Sequence, residues 1–169
     1  MKFCKTMSLV VVGAVLSLSA ATAFASQGPW RFYIKNKQTG TYLTAQGRAH
    51  TVEWNHQPVK LAPFNAANPR SQIWHVELTV EQVSKYFIWN DLAGRVLDVN
   101  ASTRIVGTHP RSGNGMPSNQ VWTIDRGLIQ AIGHGCLDAY YINGTWGPTV
   151  GTWSCHRANN QIWEFIEVR

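Results

Sequence analysis

The sequence predicts an all-β domain built from three copies of one unit, and three observations carry that expectation. The 169 residues include 8 Trp and 14 Gly beside many Asn and Thr, a composition that suits short strands and turns better than long helices. No helical stripe of three turns appears downstream of the N-terminal segment. The tripeptide Gln-x-Trp occurs as Gln72-Ile73-Trp74, Gln120-Val121-Trp122 and Gln161-Ile162-Trp163, with Trp-to-Trp intervals of 48 and 41 residues.

Residues 1–25 are expected to be a cleaved signal peptide. Lys2 and Lys5 precede an apolar run from Met7 to Leu18, which closes on Ala23-Phe24-Ala25 just before Ser26. The run is short and diluted by Ser and Ala for a membrane span; an N-terminal anchor helix is the competing reading. Cleavage removes both lysines and leaves 13 basic residues facing 9 acidic ones in a single domain, 26–169. Nowhere do three basic residues adjoin, so the positive balance reads as a scattered, solvated face rather than a nucleic-acid footprint. The destination is the medium or the periplasm.

Short segments rich in β-branched and aromatic residues follow. Arg31-Phe32-Tyr33-Ile34, Tyr86-Phe87-Ile88-Trp89 and Leu128-Ile129-Gln130-Ala131-Ile132 are bounded by Gly, Asn, Asp and Pro, and each reads as a strand. Every unit also carries a block upstream of its Gln-x-Trp: Gly40-Thr41-Tyr42-Leu43-Thr44, Gly94-Arg95-Val96-Leu97-Asp98 and Gly135-Cys136-Leu137-Asp138. One unit is too small to bury its apolar face alone, so three share a core. Trp74, Trp122 and Trp163 are the large buried side chains, and a desolvated indole N–H needs an acceptor. Gln72 and Gln120, two residues before a Trp and so expected on the same side of a strand, have amides suited to turn backbone groups left unpaired. The tripeptide is first a folding device.

Two cysteines, Cys136 and Cys155, remain after cleavage. An even count in an exported chain favours a disulfide. Closing this 19-residue separation stabilises by roughly 3 kcal/mol in the chain-entropy picture.

On these landmarks the sequence resembles the ricin B-type lectin family across residues 30–169, as repeats over roughly 30–80, 83–125 and 126–169. The resemblance implies a β-trefoil of twelve short strands, four per repeat, with one shallow sugar pocket possible in each repeat. The third repeat fits best: Cys136-Leu137-Asp138, then Trp153-Ser154-Cys155, then Asn160-Gln161-Ile162-Trp163. In the family these positions converge on one saccharide, which assigns Asp138, Trp153, Asn160 and Gln161 to carbohydrate binding. The chemistry agrees. A pyranose has an apolar C–H face for a flat Trp and a rim of hydroxyls for a carboxylate and an amide. A Cys136–Cys155 bridge joins the segments that carry Asp138 and Trp153. The bland alternative makes Asp138 a turn cap and Trp153 a core residue. Between them, Tyr140, Tyr141 and Trp146 either extend the pocket for a second sugar or pack on the flank.

The second repeat is a weaker copy. Gly107-Thr108-His109 aligns with Gly151-Thr152-Trp153, which puts His109 at the stacking position, Asp98 at the hydroxyl-accepting one and Asn119 before Gln120. Val96 and Arg111 replace the cysteines, and the Asp-to-aromatic span shortens from 15 residues to 11. Otherwise Asp98 caps a turn and His109 is a surface residue. The first repeat has lost the set: Thr44 replaces Asp, Ser71 replaces Asn, and Pro63 interrupts the aromatic's region. Its exposed face, with Trp54 and His56, suits a protein partner instead.

Catalysis is not expected. Phosphate loops, zinc-protease motifs and nucleophile elbows are missing, and the six His lack ligand spacing, so neither metal nor cofactor is implied. The favoured function is a secreted lectin that binds glycans, galactose-type sugars among the candidates. The alternative is a receptor-binding subunit of a multi-component toxin or a protein-binding trefoil such as an inhibitor. Asn100-Ala101-Ser102 and Asn143-Gly144-Thr145 fit the N-glycosylation pattern.

Overall fold

The computed structural model describes residues 30–46, 56–79, 83–113 and 115–169, so the expected signal segment and Trp54 lie outside the described residues. Among the described residues thirteen strands succeed one another: β1 (Trp30–Asn36), β2 (Tyr42–Thr44), β3 (Gln57–Pro58), β4 (Lys60–Ala62), β5 (Ile73–Leu78), β6 (Tyr86–Asn90), β7 (Val96–Val99), β8 (Val106–His109), β9 (Trp122–Asp125), β10 (Leu128–Ala131), β11 (Gly135–Ile142), β12 (Thr145–Trp153) and β13 (Trp163–Glu167). Each segment expected as a strand lies in one, within β1, β6 and β10 apart from Ile132, which follows β10.

Six strands form a ring. Strand β1 pairs with β13 and β5, β5 with β6, β6 with β9, and β9 with β10, all antiparallel. The Trp163 N–H donates to Gly127 O at 2.9 Å and closes the ring between β13 and the start of β10. Three hairpins, β2–β4, β7–β8 and β11–β12, complete the β-trefoil and touch one another through Lys60–Thr149, Gln57–Thr108 and Ile105–Gly151 pairs. The departure from twelve strands is β3, a two-residue strand of the first repeat that pairs with β8 of the second.

The core repeats threefold. Leu43, Leu97 and Leu137, one from each hairpin, are fully buried beside Trp74, Trp122 and Trp163. Each indole N–H donates to the carbonyl of its own Leu: Trp74 to Leu43 (2.8 Å), Trp122 to Leu97 (3.0 Å) and Trp163 to Leu137 (3.0 Å). The large side chain thus buries without losing its polar group, and it ties a barrel strand to the hairpin above it. The glutamines do not stand on strands as the same-side reasoning expects. Gln72 and Gln161 lie in 3-10 turns, Pro69–Gln72 and Asn159–Gln161, which precede β5 and β13. The turn function holds: Gln72 Oε1 accepts from Asn65 N (2.9 Å), Gln120 Oε1 from Ser112 N (3.0 Å) and Gln161 Oε1 from His156 N (2.8 Å).

Buried Asn36 and Asn90 organise two further turns. Asn36 Oδ1 accepts from Gln38 N and Thr39 N while its amide donates to Asn160 O; Asn90 Oδ1 accepts from Leu92 N and Ala93 N while its amide donates to Ser71 O and Ile73 O. Such Asx turns supply the local partner that turn backbone otherwise lacks.

Candidate functional site

Strand register decides which side chains can meet. In the β11–β12 hairpin Cys136 stands opposite Trp153, Leu137 opposite Thr152, and Asp138 opposite Gly151. Directly opposed residues share a face, and alternate residues return to it. Cys136, Asp138, Gly151 and Trp153 therefore look one way, while Leu137 and Thr152 turn to the interior. The Cys136–Cys155 disulfide is formed and clamps this face, two residues past Trp153.

A cavity of about 310 Å³ opens here, lined by Asp138, Asn160, Trp153, His156, Tyr140, Tyr141 and Trp146. Trp153 is 61% exposed, so its indole is presented to solvent and is not a core residue. Asp138 is buried at the base. Asn160 Nδ2 lies 3.0 Å from both of its oxygens, and Gln161 Nε2 lies 2.8 Å from Oδ2. Burial raises the Asp138 carboxyl above its ordinary value, against the pull of the Gln161 and Asn160 hydrogen bonds and of His156, whose Nε2 is 3.6 Å from Oδ2.

Gln161, expected among the sugar-contacting residues, is fully buried behind the carboxylate. Its amide is spent on Asp138 Oδ2, Ser154 O (3.0 Å) and His156 N, so it positions Asp138 and presents nothing to the opening. Tyr140, Tyr141, Trp146 and His156 line the cavity outside the family pattern, and of these His156 is the one that the sequence does not single out. Tyr140 crosses Gly151: a Cβ there would meet the Tyr140 phenol at 2.3 Å, and the phenol O–H donates to Thr152 O at 3.0 Å.

The second repeat reproduces the base. Asp98 stands opposite Gly107, and His109 opposite Val96, the same register as Asp138–Gly151 and Trp153–Cys136. Asn119 Nδ2 and Gln120 Nε2 donate to Asp98 Oδ2 at 2.8 and 3.0 Å. The wall differs. His56, from the first repeat, lies across Gly107 as Tyr140 lies across Gly151: a Cβ at Gly107 would meet the His56 Cε1 at 2.5 Å, and His56 Nε2 is 3.0 Å from Asp98 O. Asp98, His109, Asn119 and His56 all line an open cavity of about 790 Å³. His56 is thus committed to the second repeat's pocket rather than to a free face of the first. His109 Nδ1 is held 3.0 Å from Pro110 O, and an imidazole gives a smaller stacking face than an indole.

In the first repeat the register puts Ala62 at the aromatic position, opposite Tyr42, just before Pro63. Thr44 Oγ1 accepts from Gln72 Nε2 at 2.9 Å and donates to Tyr42 O at 2.9 Å, so the hydroxyl is used up locally. Among the described residues no cluster of three His, Cys, Asp or Glu converges as a metal site would require. No helix among them is long and apolar enough to cross a membrane.

No protein-family model matches the chain, and no curated protein does. Solved structures do. The chain is similar to a designed threefold-symmetric protein, ThreeFoil, with a TM-score of 0.63 and 19% identity over 82% of this chain and 99% of that one. It is similar to the C-half of an earthworm R-type lectin in complex with GalNAc, with a TM-score of 0.58 and 18% identity over 83% and 100%. It also matches 17% of a mosquitocidal holotoxin chain, with a TM-score of 0.67 and 18% identity over 83% of its own length. At these identities the likeness shows the β-trefoil fold.

Proposed function

We propose that this chain is an exported carbohydrate-binding trefoil of the ricin B type, which holds a saccharide non-covalently in the third-repeat pocket. The observation that carries the reading is the exposed Trp153 indole sharing one cavity with the buried, hydrogen-bonded Asp138 carboxylate. A flat apolar face beside a fixed two-oxygen acceptor is what an amphipathic sugar ring demands. Asp138 accepts from two neighbouring ring hydroxyls, Trp153 covers the C–H face, Asn160 supplies the amide, and Gln161 with the disulfide holds the set rigid. The Asp98 pocket is a second, weaker site. Export after loss of residues 1–25, to the medium or the periplasm, accords with the disulfide.

The test is a glycan array probed with residues 26–169 and with its Asp138→Ala variant, folding being checked by circular dichroism. Binding that vanishes in the folded variant supports the site. A silent array beside a captured protein partner would replace the lectin reading with that of a toxin subunit or inhibitor.

A further inference from the structure

The β11–β12 hairpin is longer than the site at its base needs. Its strands run 8 and 9 residues, whereas β7 and β8 run 4 each and β2 and β4 run 3 each. The extension ends in Asn143-Gly144, both with positive φ (51° and 80°), as a tight two-residue type I′ turn requires. Thr145 stands opposite Ile142 and Trp146 opposite Tyr141, so the tip is a paired ladder with fixed side-chain positions.

Between Ala139–Val150 and Tyr141–Trp146 the register shifts: one residue on β11 faces three on β12, Gly147-Pro148-Thr149. Strict alternation would send Tyr140 and Tyr141 to opposite faces. The bulge re-aims the tip, and both tyrosines line the pocket together with Trp146. Tyr141 is 61% exposed and Trp146 40% exposed, and their rings meet edge-on with centroids 5.2 Å apart at 62°. Two large aromatics are thereby kept at the surface on a paired hairpin and contribute little to the core. Tyr141 lies three residues beyond Asp138, so it and Trp146 line the cavity from the tip of the hairpin while the carboxylate stands at its base.

From this geometry we infer that the third-repeat site is built for an oligosaccharide, with Tyr141 and Trp146 as the platform for the sugar units that follow the one held by Asp138 and Trp153. The inference rests on the proposed carbohydrate function and adds the size of the ligand to it. The paired backbone and the mutual ring contact favour one arrangement of the platform, which lowers the ordering cost of stacking there.

The experiment is titration calorimetry with three pairs of probes, galactose and galactotriose, xylose and xylotriose, mannose and mannotriose, alongside the glycan array. The expected result is a trisaccharide bound about tenfold or more tightly than its monosaccharide, a ratio that collapses towards one in Tyr141→Ala and in Trp146→Ala. A ratio near one in the unmodified chain, or one that survives in both variants, overturns the inference and leaves the proposed function standing. Silence from every probe and from the array removes both. Should either variant misfold, saturation-transfer NMR on the unmodified chain decides: saturation reaching the second ring supports the platform, and saturation confined to the terminal ring overturns it.

Discussion

Gln161 Nε2 lies 2.8 Å from Asp138 Oδ2, while two residues along the chain Trp163 Nε1 lies 3.0 Å from the carbonyl of Leu137, the residue before Asp138. One tripeptide therefore grips the hairpin twice, by its backbone and by its acidic side chain. The same double hold recurs at Gln120–Asp98 and Trp122–Leu97. Folding motif and binding site are a single hydrogen-bonded unit, so a repeat that keeps its Gln and Trp keeps the frame on which a pocket can stand. Whether a pocket stands there depends on the residues that the frame holds.

Replacing Gln161 tests that coupling. Gln161→Leu strands Ser154 O and His156 N and frees Asp138, and each buried group left unsatisfied costs about 1–3 kcal/mol. We expect lower stability in urea unfolding and a loss of glycan affinity of at least about tenfold. Gln72→Leu is the comparison: it removes the matching bonds to Asn65 N, Pro63 O and Thr44, in a repeat with no carboxylate at that position. Its cost should appear in stability alone. Equal losses of affinity in the two variants would contradict the assignment of Gln161 as the positioning residue for Asp138.

The disulfide should matter to the site more than to the fold. Cys136 is paired opposite Trp153, and Cys155 follows it by two residues. A double Cys136→Ser/Cys155→Ser variant should lose about 3 kcal/mol for a loop of this length. It should still fold, because the core is carried by the three Leu–Trp pairs. The freed Trp153 should then bind glycan more weakly, with the loss expressed as a faster dissociation rate in surface plasmon resonance. Unchanged dissociation would show that the hairpin holds the indole unaided.

Thr108 and Thr152 occupy matching places on β8 and β12, and the hydroxyl of each is buried without a hydrogen-bond partner. The first repeat has Leu61 at the same place, opposite Leu43. An apolar side chain is therefore accommodated by this architecture. Thr108→Val exchanges a stranded hydroxyl for a methyl of similar shape, a change expected to be neutral or stabilising by about 1 kcal/mol. Thermal unfolding of Thr108→Val and of the double variant with Thr152→Val reads this directly. A fall in Tm for both would show that the hydroxyls have a structural use.

Most of the fold is legible in the sequence because its cause is local and repeated. Gln-x-Trp with the Gly-x-Leu-Asp type of block marks both halves of each grip, and the placing of His109 opposite Val96 follows from alignment of Gly107 with Gly151. What escapes is set by register and by contacts between repeats. The glutamines' place in turns before the strands depends on where pairing starts, which spacing does not reveal. Tyr140 over Gly151 and His56 over Gly107 are equivalent crossings made by residues with no common sequence context, one inside its repeat and one borrowed from the neighbour. His156 enters the pocket from the turn that Gln161 closes. The available clue for both crossings is the pair of matched glycines, since each marks a place where a ring passes over bare backbone.

The pH response separates the site from the rest of the surface. Burial lifts the Asp138 carboxyl, whereas at Asp91 burial is outweighed by the hydrogen bonds and charges of Arg70 and His75, and the net shift is downward. For stability the signs are opposite. The proton on Asp138 stabilises the native state fully below the ordinary value of 3.8, and that contribution is lost as pH rises through the higher native value; the ion pair at Asp91 stabilises above 3.8 and is lost as pH falls through its lowered value. Binding follows Asp138 alone. Sugar hydroxyls donate to the ionised carboxylate, so protonation removes the acceptor, and affinity should fall by up to about tenfold per pH unit below the raised value. His156, by its charge, pulls the Asp138 value down, so His156→Ala should move the fall to higher pH, while Asp138→Asn should bind weakly and without this dependence. Titration of the Trp153 fluorescence change on glycan addition between pH 3 and pH 8, with circular dichroism on the same samples, measures this. An affinity that stays level down to pH 3, below the ordinary carboxyl value of 3.8, in the unmodified chain would mean that the carboxylate does not carry the hydroxyl contacts.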